Sequence, residues 1–175
     1  MPFEAWEDER AREIIAAHAT GNGATLPILH VLQEVFGCVS EAAVPIIADV
    51  LNLSQAEVHG VVTFYHDFRR TPPGSHVLKL CRAEACQSMG GDALGAHACA
   101  KLGINWGETT RDGRVTLDAV FCLGLCATAP SAMINNRLVG RLTEARLDKL
   151  LEAAEVVLKL DALFREPRQN LLSGL

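Results

Sequence analysis

Two pairs of cysteines constrain this chain more than any other feature. Cys81 and Cys86 enclose Arg82-Ala83-Glu84-Ala85, directly after the largely apolar run from His76 to Leu80. Cys122 and Cys126 enclose Leu123-Gly124-Leu125, directly after the run from Leu117 to Phe121. Both runs have the length and apolar character of a β-strand, so each pair sits where a strand gives way to a turn. A fold that gathers the two strand ends puts four thiols together, and four thiolates can bind a metal or an iron–sulfur cluster.

The rest of the composition says which setting such a site has. At 175 residues with 49% apolar and 21% charged side chains, the chain can build a real core as one domain or two small ones. Sixteen basic against 21 acidic residues leave a formal charge of −5, and the basic residues form no cluster beyond short pairs such as Arg69-Arg70. That argues against a nucleic-acid partner. The acidic start (Glu4, Glu7, Asp8, Glu9) is the wrong chemistry for a secretory signal. The apolar run from Ala42 to Ala48 contains Pro45 and stops at Asp49, far short of a membrane span, so no direct membrane insertion is expected. Six cysteines without a signal peptide favour a reducing, cytoplasmic setting, where such groups serve as metal ligands or redox groups more often than as disulfides.

Residues 1–70 read as a small helical bundle. Trp6, Ile14 and Ile15 fall on one side of a first helix that ends before Gly21-Asn22-Gly23. Leu26, Leu29, Leu32, Val35 and Phe36 recur at helical spacing in a second, and Gly37 suits the position just past its end. A third covers the region from Ala43 to Leu51, with Pro45 in the first turn, where a missing N–H does least harm. The fourth carries the best start signal: Ser54 and Glu57 make a Ser-x-x-Glu capping box, with Leu53 and Val58 in the positions of a hydrophobic staple. Val61, Val62, Phe64 and Tyr65 follow on that helix.

Thr71-Pro72-Pro73-Gly74-Ser75 then marks a domain boundary. After it, strand 76–80 leads to a helix near 92–102, with Asp92 as its N-cap and Gly103 as its stop. Asp112-Gly113 lies between Glu108-Thr109-Thr110 and Val115-Thr116-Leu117 as one hairpin turn. Asn135-Asn136 separates Ala132-Met133-Ile134 from Leu138-Val139-Gly140 as a second. Thr143 caps a helix carrying Leu147, Leu150, Leu151 and Val156. This order predicts an α+β chain: a helical bundle at 1–70, a thioredoxin-like mixed-sheet domain at 75–158 and a C-terminal tail at 159–175.

The cysteine spacing leaves several chemistries to weigh. A [2Fe–2S] cluster needs two thiolates per iron, and one pair per iron is the simplest assignment. Structural zinc also takes four cysteines but mostly through tight C-x2-C knuckles, which x4 and x3 fit less well. A dithiol oxidoreductase needs C-x-x-C, which the chain lacks, and a Rieske centre needs paired histidines that no spacing here provides. Cys38, just past Gly37, and Cys99, among alanines, read as small packing residues. His59, His66, His76 and Arg69-Arg70 show no partner in the sequence, and His59 and His66 read as surface groups rather than ligands. Gly21-Asn22-Gly23 is only a fragment of a dinucleotide fingerprint with no strand before it, and no Walker sequence occurs, so the chain is not expected to bind a nucleotide or flavin itself.

At these residues the chain resembles a known family. C-R-A-E-A-C-Q-S-M-G and F-C-L-G-L-C-A with Pro130 beyond it are similar to the thioredoxin-like [2Fe–2S] ferredoxins. That family includes the small peripheral-arm subunit of NADH:quinone oxidoreductase (complex I), the matching subunit of NAD-linked hydrogenases and the gamma subunit of soluble NAD-dependent formate dehydrogenases. L-P-I-L-H-V-L-Q-E-V-F-G and L-S-Q-A-E-V-H-G-V-V-T-F-Y-H-D-F resemble the helical portion of the same subunits, so the likeness runs from about Leu26 to Leu150. V-H-G-V-V-T-F-Y-H-D-F-R and C-R-A-E-A-C-Q look closest to the formate dehydrogenase gamma subunit, and Ala129-Pro130 departs from the Gly-Pro common in the family. The resemblance implies one [2Fe–2S] cluster on Cys81, Cys86, Cys122 and Cys126 and makes zinc a distant alternative. It further implies an electron-transfer subunit without a catalytic site of its own. FMN and NAD would lie on a flavin-binding partner, a molybdenum or tungsten cofactor on a larger catalytic subunit, and the helical bundle would supply docking surface.

Overall fold

The computed structural model describes residues 3–152, which form two compact units, one up to Ser75 and one from His76 onward. The 159–175 tail and Val156 lie outside the described residues.

The first unit is helical. Helix α1 (Asp8–His18) has Asp8 and Glu9 in its first turn and His18 in its last, which suits the helix dipole, and buries Ala11, Ile14 and Ile15. Trp6 precedes this helix instead of lying on it, packing on Phe36 at 4.9 Å between ring centroids and donating its indole N–H to Asp8 at 2.7 Å. Helix α2 (Thr25–Phe36) buries Ile28, Leu29, Leu32 and Phe36 and ends at Gly37, whose φ of 76° is the left-handed cap. Helix α3 (Ala43–Leu51) holds Pro45 in its first turn and buries Val44, Ile46 and Ile47. Helix α4 (Gln55–Phe64) opens on the expected capping box: Ser54 Oγ accepts the Glu57 N–H at 3.2 Å, and Glu57 accepts the Ser54 N–H at 2.9 Å.

Two expectations for this unit need correction. Val58 and Val62 of α4 enter the core, but Phe64 is 72% exposed and Tyr65 lies past the helix end. Arg70 also has a partner, Glu41 at 2.7 Å, supplied by a loop 29 residues away and therefore invisible to local reading. Mid-helix Gly60 has open space where a side chain would point. Gly60→Ala is expected to stabilise the protein by ~0.5–1 kcal/mol, read as a higher denaturant midpoint at unchanged slope.

The second unit is a four-stranded mixed sheet with helices, confirming the α+β class. In chain order it comprises β1 (His76–Cys81), α5 (Glu84–Ser88), α6 (Gly91–Leu102), β2 (Val115–Val120), β3 (Ala132–Ile134), β4 (Arg137–Val139) and α7 (residues 144–152). The sheet order is β2-β1-β3-β4, with β1 parallel to β2 and antiparallel to β3. Its core joins Leu78, Leu80, Leu117 and Ala132 of the sheet to Leu94 and Ala98 of α6 and Leu147 and Leu151 of α7. The Asn135-Asn136 turn has φ of 46° and 66°, as a two-residue primed turn requires. His76 Nδ1 meets the Asn135 amide at 2.5 Å, a partner that only the strand pairing provides.

One local expectation fails, one is met by a short hairpin, and one helix escapes local reading. Asp92 does not cap α6, which starts at Gly91 after a left-handed Gly90; Asp92 falls in the first turn and pairs with Arg82 at 3.6 Å instead. The Asp112-Gly113 turn does close a short hairpin, in which Thr109 bridges Thr116 antiparallel and the Thr110 and Leu117 N–H groups donate to the Val115 and Glu108 carbonyls at 2.9 and 3.0 Å. Helix α5, which carries Cys86, has no sequence signal long enough to be read.

Candidate metal centre

The strand register gathers the cysteines. Because β1 and β2 run parallel with Cys81 opposite Val120, Cys81 and the loop that starts at Phe121 emerge from the same end of the sheet. Antiparallel β3 begins at that same end, where the Cys81 N–H donates to the Ser131 carbonyl at 3.0 Å and Leu80 faces Ala132. Open sheets commonly place their sites beyond the carboxyl ends of parallel strands.

Each cysteine is then positioned locally. Cys81 ends β1 and Cys86 sits on α5, both buried at 4% and 2% exposure, whereas Cys122 and Cys126 are exposed. Cys122 has a φ of 96°, uncommon for any residue but glycine, and Gly124 follows at 75°. This turn aims consecutive N–H groups at sulfur. The Cys122 and Leu123 N–H groups reach the Cys81 sulfur, and the Gly124 N–H lies 3.4 Å from that of Cys122. Such a run of amides is an anion-binding concavity.

The thiols act on one another across the two loops. Burial pushes Cys81 up, but hydrogen bonds from the Ala83 N–H, the Cys86 thiol and the Cys122 and Leu123 N–H groups outweigh it and hold Cys81 below the ordinary thiol range. Cys126 is pushed up, first by its hydrogen bond with Cys122 and further by the charges of Cys122 and Cys86. Thiolates crowded this way repel each other, and a cationic centre among them removes the repulsion. Cys122 and Cys126 stand 3.7 Å apart, and two thiolates on one tetrahedral metal stand about 3.8 Å apart at ordinary metal–sulfur lengths. Among the described residues, no three His, Cys, Asp or Glu side chains converge on one ion position. Spacing of thiols in pairs fits a two-metal core held by one pair per metal, so the donor set suits a [2Fe–2S] group.

Cys38 and Cys99 occupy packing positions. Cys38 is buried in the helical unit, which pushes its thiol up and makes it a poor thiolate donor, and Cys99 packs half-buried on the sheet unit's core. Arg82, between the first two ligand candidates, lies over the Trp106 ring at 5.1 Å. Two contributors escaped sequence reading. Ser131 is 3% exposed, with its hydroxyl 3.5 Å from the Cys86 sulfur. Gly91 gives α6 room to lie against the Cys86 carbonyl. Each is set by a contact far along the chain or by a missing side chain, neither of which leaves a local motif; the neighbouring Pro130 was the nearest available signal.

Known proteins resemble this chain over most of its length. The model of the thioredoxin-like [2Fe–2S] ferredoxin family matches residues 11–155. A subunit of the NADH-quinone oxidoreductase of Pseudomonas aeruginosa is 38% identical over 130 residues, 74% of this chain and 78% of that one. A subunit of an NADH-quinone oxidoreductase from Rhizobium meliloti is 35% identical over 162 residues, 91% of this chain and 96% of its own. A crystal structure of an NAD+-reducing [NiFe]-hydrogenase in its H2-reduced state superposes with a TM-score of 0.65 at 30% identity, covering 75% of this chain. This chain spans only 22% of that hydrogenase chain. The match over most of its length makes this chain a member of the thioredoxin-like [2Fe–2S] ferredoxin family, with a [2Fe–2S] cluster as its cofactor.

Proposed function

We propose that Cys81, Cys86, Cys122 and Cys126 hold the cluster and that the chain is the electron-transfer subunit of an NAD-dependent formate dehydrogenase complex. The observation that carries the ligand assignment is the convergence of both cysteine pairs at one end of the sheet, with Cys122 and Cys126 at one-metal spacing. When bound, the cluster supplies one-electron chemistry. Cys81 and Cys86, buried against the sheet, anchor it, and the amides of Ala83, Cys122 and Leu123 offset the negative charge of the sulfurs. Cys122 and Cys126 lie at the exposed edge, and electrons exchange with the flavin of a partner subunit on that side. The flavin and NAD sites belong to this partner, substrate oxidation at molybdenum or tungsten belongs to a larger subunit, and the helical unit docks. Among the described residues no helix is long and apolar enough to cross a membrane, which suits a peripheral, cytoplasmic subunit.

The formate assignment is supported by V-H-G-V-V-T-F-Y-H-D-F-R and C-R-A-E-A-C-Q. A second reading, the equivalent subunit of complex I or of an NAD-linked hydrogenase, is favoured by the 38% identity to the Pseudomonas NADH-quinone oxidoreductase protein and by the hydrogenase superposition. Purifying the tagged full chain from its native host separates them. Formate dehydrogenase predicts a flavoprotein and a molybdenum- or tungsten-containing subunit in the same fraction, with formate-driven NAD+ reduction. A nickel-containing partner or a membrane arm in their place overturns the formate reading.

A further inference from the structure

We propose that Ser131 is a positioning residue that sets the reduction potential of this site by donating its hydroxyl to the Cys86 sulfur. The proposal rests on the assignment of Cys86 as a ligand. The contact is 3.5 Å and buried, with Ser131 at 3% and Cys86 at 2% exposure. A hydroxyl and a thiol at this distance leave the donor open, but metal ligation closes the choice. A ligating Cys86 is a thiolate with no proton to give, so the hydroxyl donates and the sulfur accepts.

Ser131 is not free to turn away as a loop residue would be. Its carbonyl accepts the Cys81 N–H at 3.0 Å, and Ala132 beside it is already paired with Leu80 in the sheet. On its other side, the Pro130 carbonyl accepts the Leu142 N–H at 2.9 Å. One residue thus touches both members of the buried pair, Cys81 through its backbone and Cys86 through its side chain. The backbone contact uses a carbonyl that every residue carries, so the side chain alone is the variable element.

The direction of the effect follows from charge. With the cluster bound, uptake of one electron would add negative charge to it and to its ligand sulfurs, and no proton or bond would be exchanged with Ser131. A fixed O–H dipole aimed at one of those sulfurs favours the electron-rich form and raises the potential. Burial strengthens the effect, because no solvent competes for the hydroxyl and the local dielectric is low. The amides aimed at Cys81 act alike, but they belong to the backbone; Ser131 is the contribution a single codon can alter.

The test is a redox titration followed by electron paramagnetic resonance on the purified full chain and its Ser131→Ala, Ser131→Thr and Ser131→Val variants, with iron and acid-labile sulfide measured on each. Ser131→Ala is expected to shift the oxidised-to-reduced ratio at fixed poise about tenfold toward the oxidised form, ~59 mV lower for one electron, at unchanged iron content. Ser131→Thr keeps the donor and is expected to stay near the parent. An unchanged potential in a fully loaded Ser131→Ala variant overturns the proposal while leaving the ligand assignment intact. Should the smaller side chain loosen cluster binding, threonine and valine, near equal in volume and different in the hydroxyl, decide: valine below threonine supports the proposal and equal potentials overturn it. A parent chain without iron and sulfide overturns the proposal and the ligand assignment together.

Discussion

Cys81→Ser, Cys86→Ser, Cys122→Ser and Cys126→Ser each lower the iron and sulfide content of the purified chain by about tenfold or more, whereas Cys38→Ser and Cys99→Ser leave it unchanged. Charge and geometry set this pattern. Each paired cysteine supplies one thiolate of a four-thiolate set, and a serine hydroxyl at the same position is far less acidic and binds soft metals poorly. Cys38 and Cys99 contribute packing, and serine there costs stability without touching the site.

The four ligand variants are also expected to differ from one another. Cys81 and Cys86 are buried, with amides and the Ser131 hydroxyl fitted around their sulfurs, so the smaller serine oxygen leaves a gap and stretches those contacts, at a cost of roughly 1 kcal/mol. Cys122 and Cys126 are exposed, and serine in those positions leaves the fold of the metal-free protein nearly unaffected. Thermal unfolding of the metal-free variants should therefore show lower midpoints for the first pair than for the second. Retained iron in any of the four, or lost iron in Cys99→Ser, refutes the assignment.

Gly91→Ala is the second large effect, and it involves no ligand. A methyl at this position would stand 2.6 Å from the Cys86 carbonyl oxygen and 2.9 Å from its carbon, closer than such atoms approach. Both are backbone atoms, so no side-chain rotation can relieve the clash; either α6 or the segment carrying Cys86 must move. Overpacking of this kind costs ~1–3 kcal/mol, and displacement of Cys86 by even ~0.5 Å is enough to spoil a preorganised ligand set. The expected result is a lower unfolding midpoint together with reduced iron loading, measured on the same preparation. A Gly91→Ala protein with parental iron content and midpoint would show that α6 does not need this close approach. Gly60→Ala, where the space is open, is the matched substitution that should gain stability instead.

These contrasts also show what a reading of residues alone could reach. The capping box at Ser54 and Glu57, Gly37 after α2 and the turn at Asn135-Asn136 were legible because each is decided within four or five residues. The two cysteine pairs were legible as well, since short spacing and a preceding strand are local properties. What joins the pairs is not local. The parallel register that sets Cys81 against Val120, and the antiparallel one that brings Ser131 to Cys81, link residues 39 and 50 positions apart. Ser131 therefore looked like any serine after a proline, and Gly91 like any glycine ahead of a helix. Asp92 misled for a related reason: an acidic residue at a helix start has two uses, and the proximity of Arg82 turned it into an ion-pair partner instead of a cap. Phe64 and Tyr65 fell on the apolar side of a helical pattern, but α4 ends at Phe64 and leaves both exposed.

Whether the four paired cysteines carry a two-iron cluster is settled most directly by the metal content of the full chain purified without added metal, joined to electron paramagnetic resonance after reduction. The expected protein is red-brown, with about two irons and about two acid-labile sulfides per chain and the reduced signal of one [2Fe–2S] centre. A colourless protein holding one zinc, with no sulfide and no signal on reduction, would contradict it.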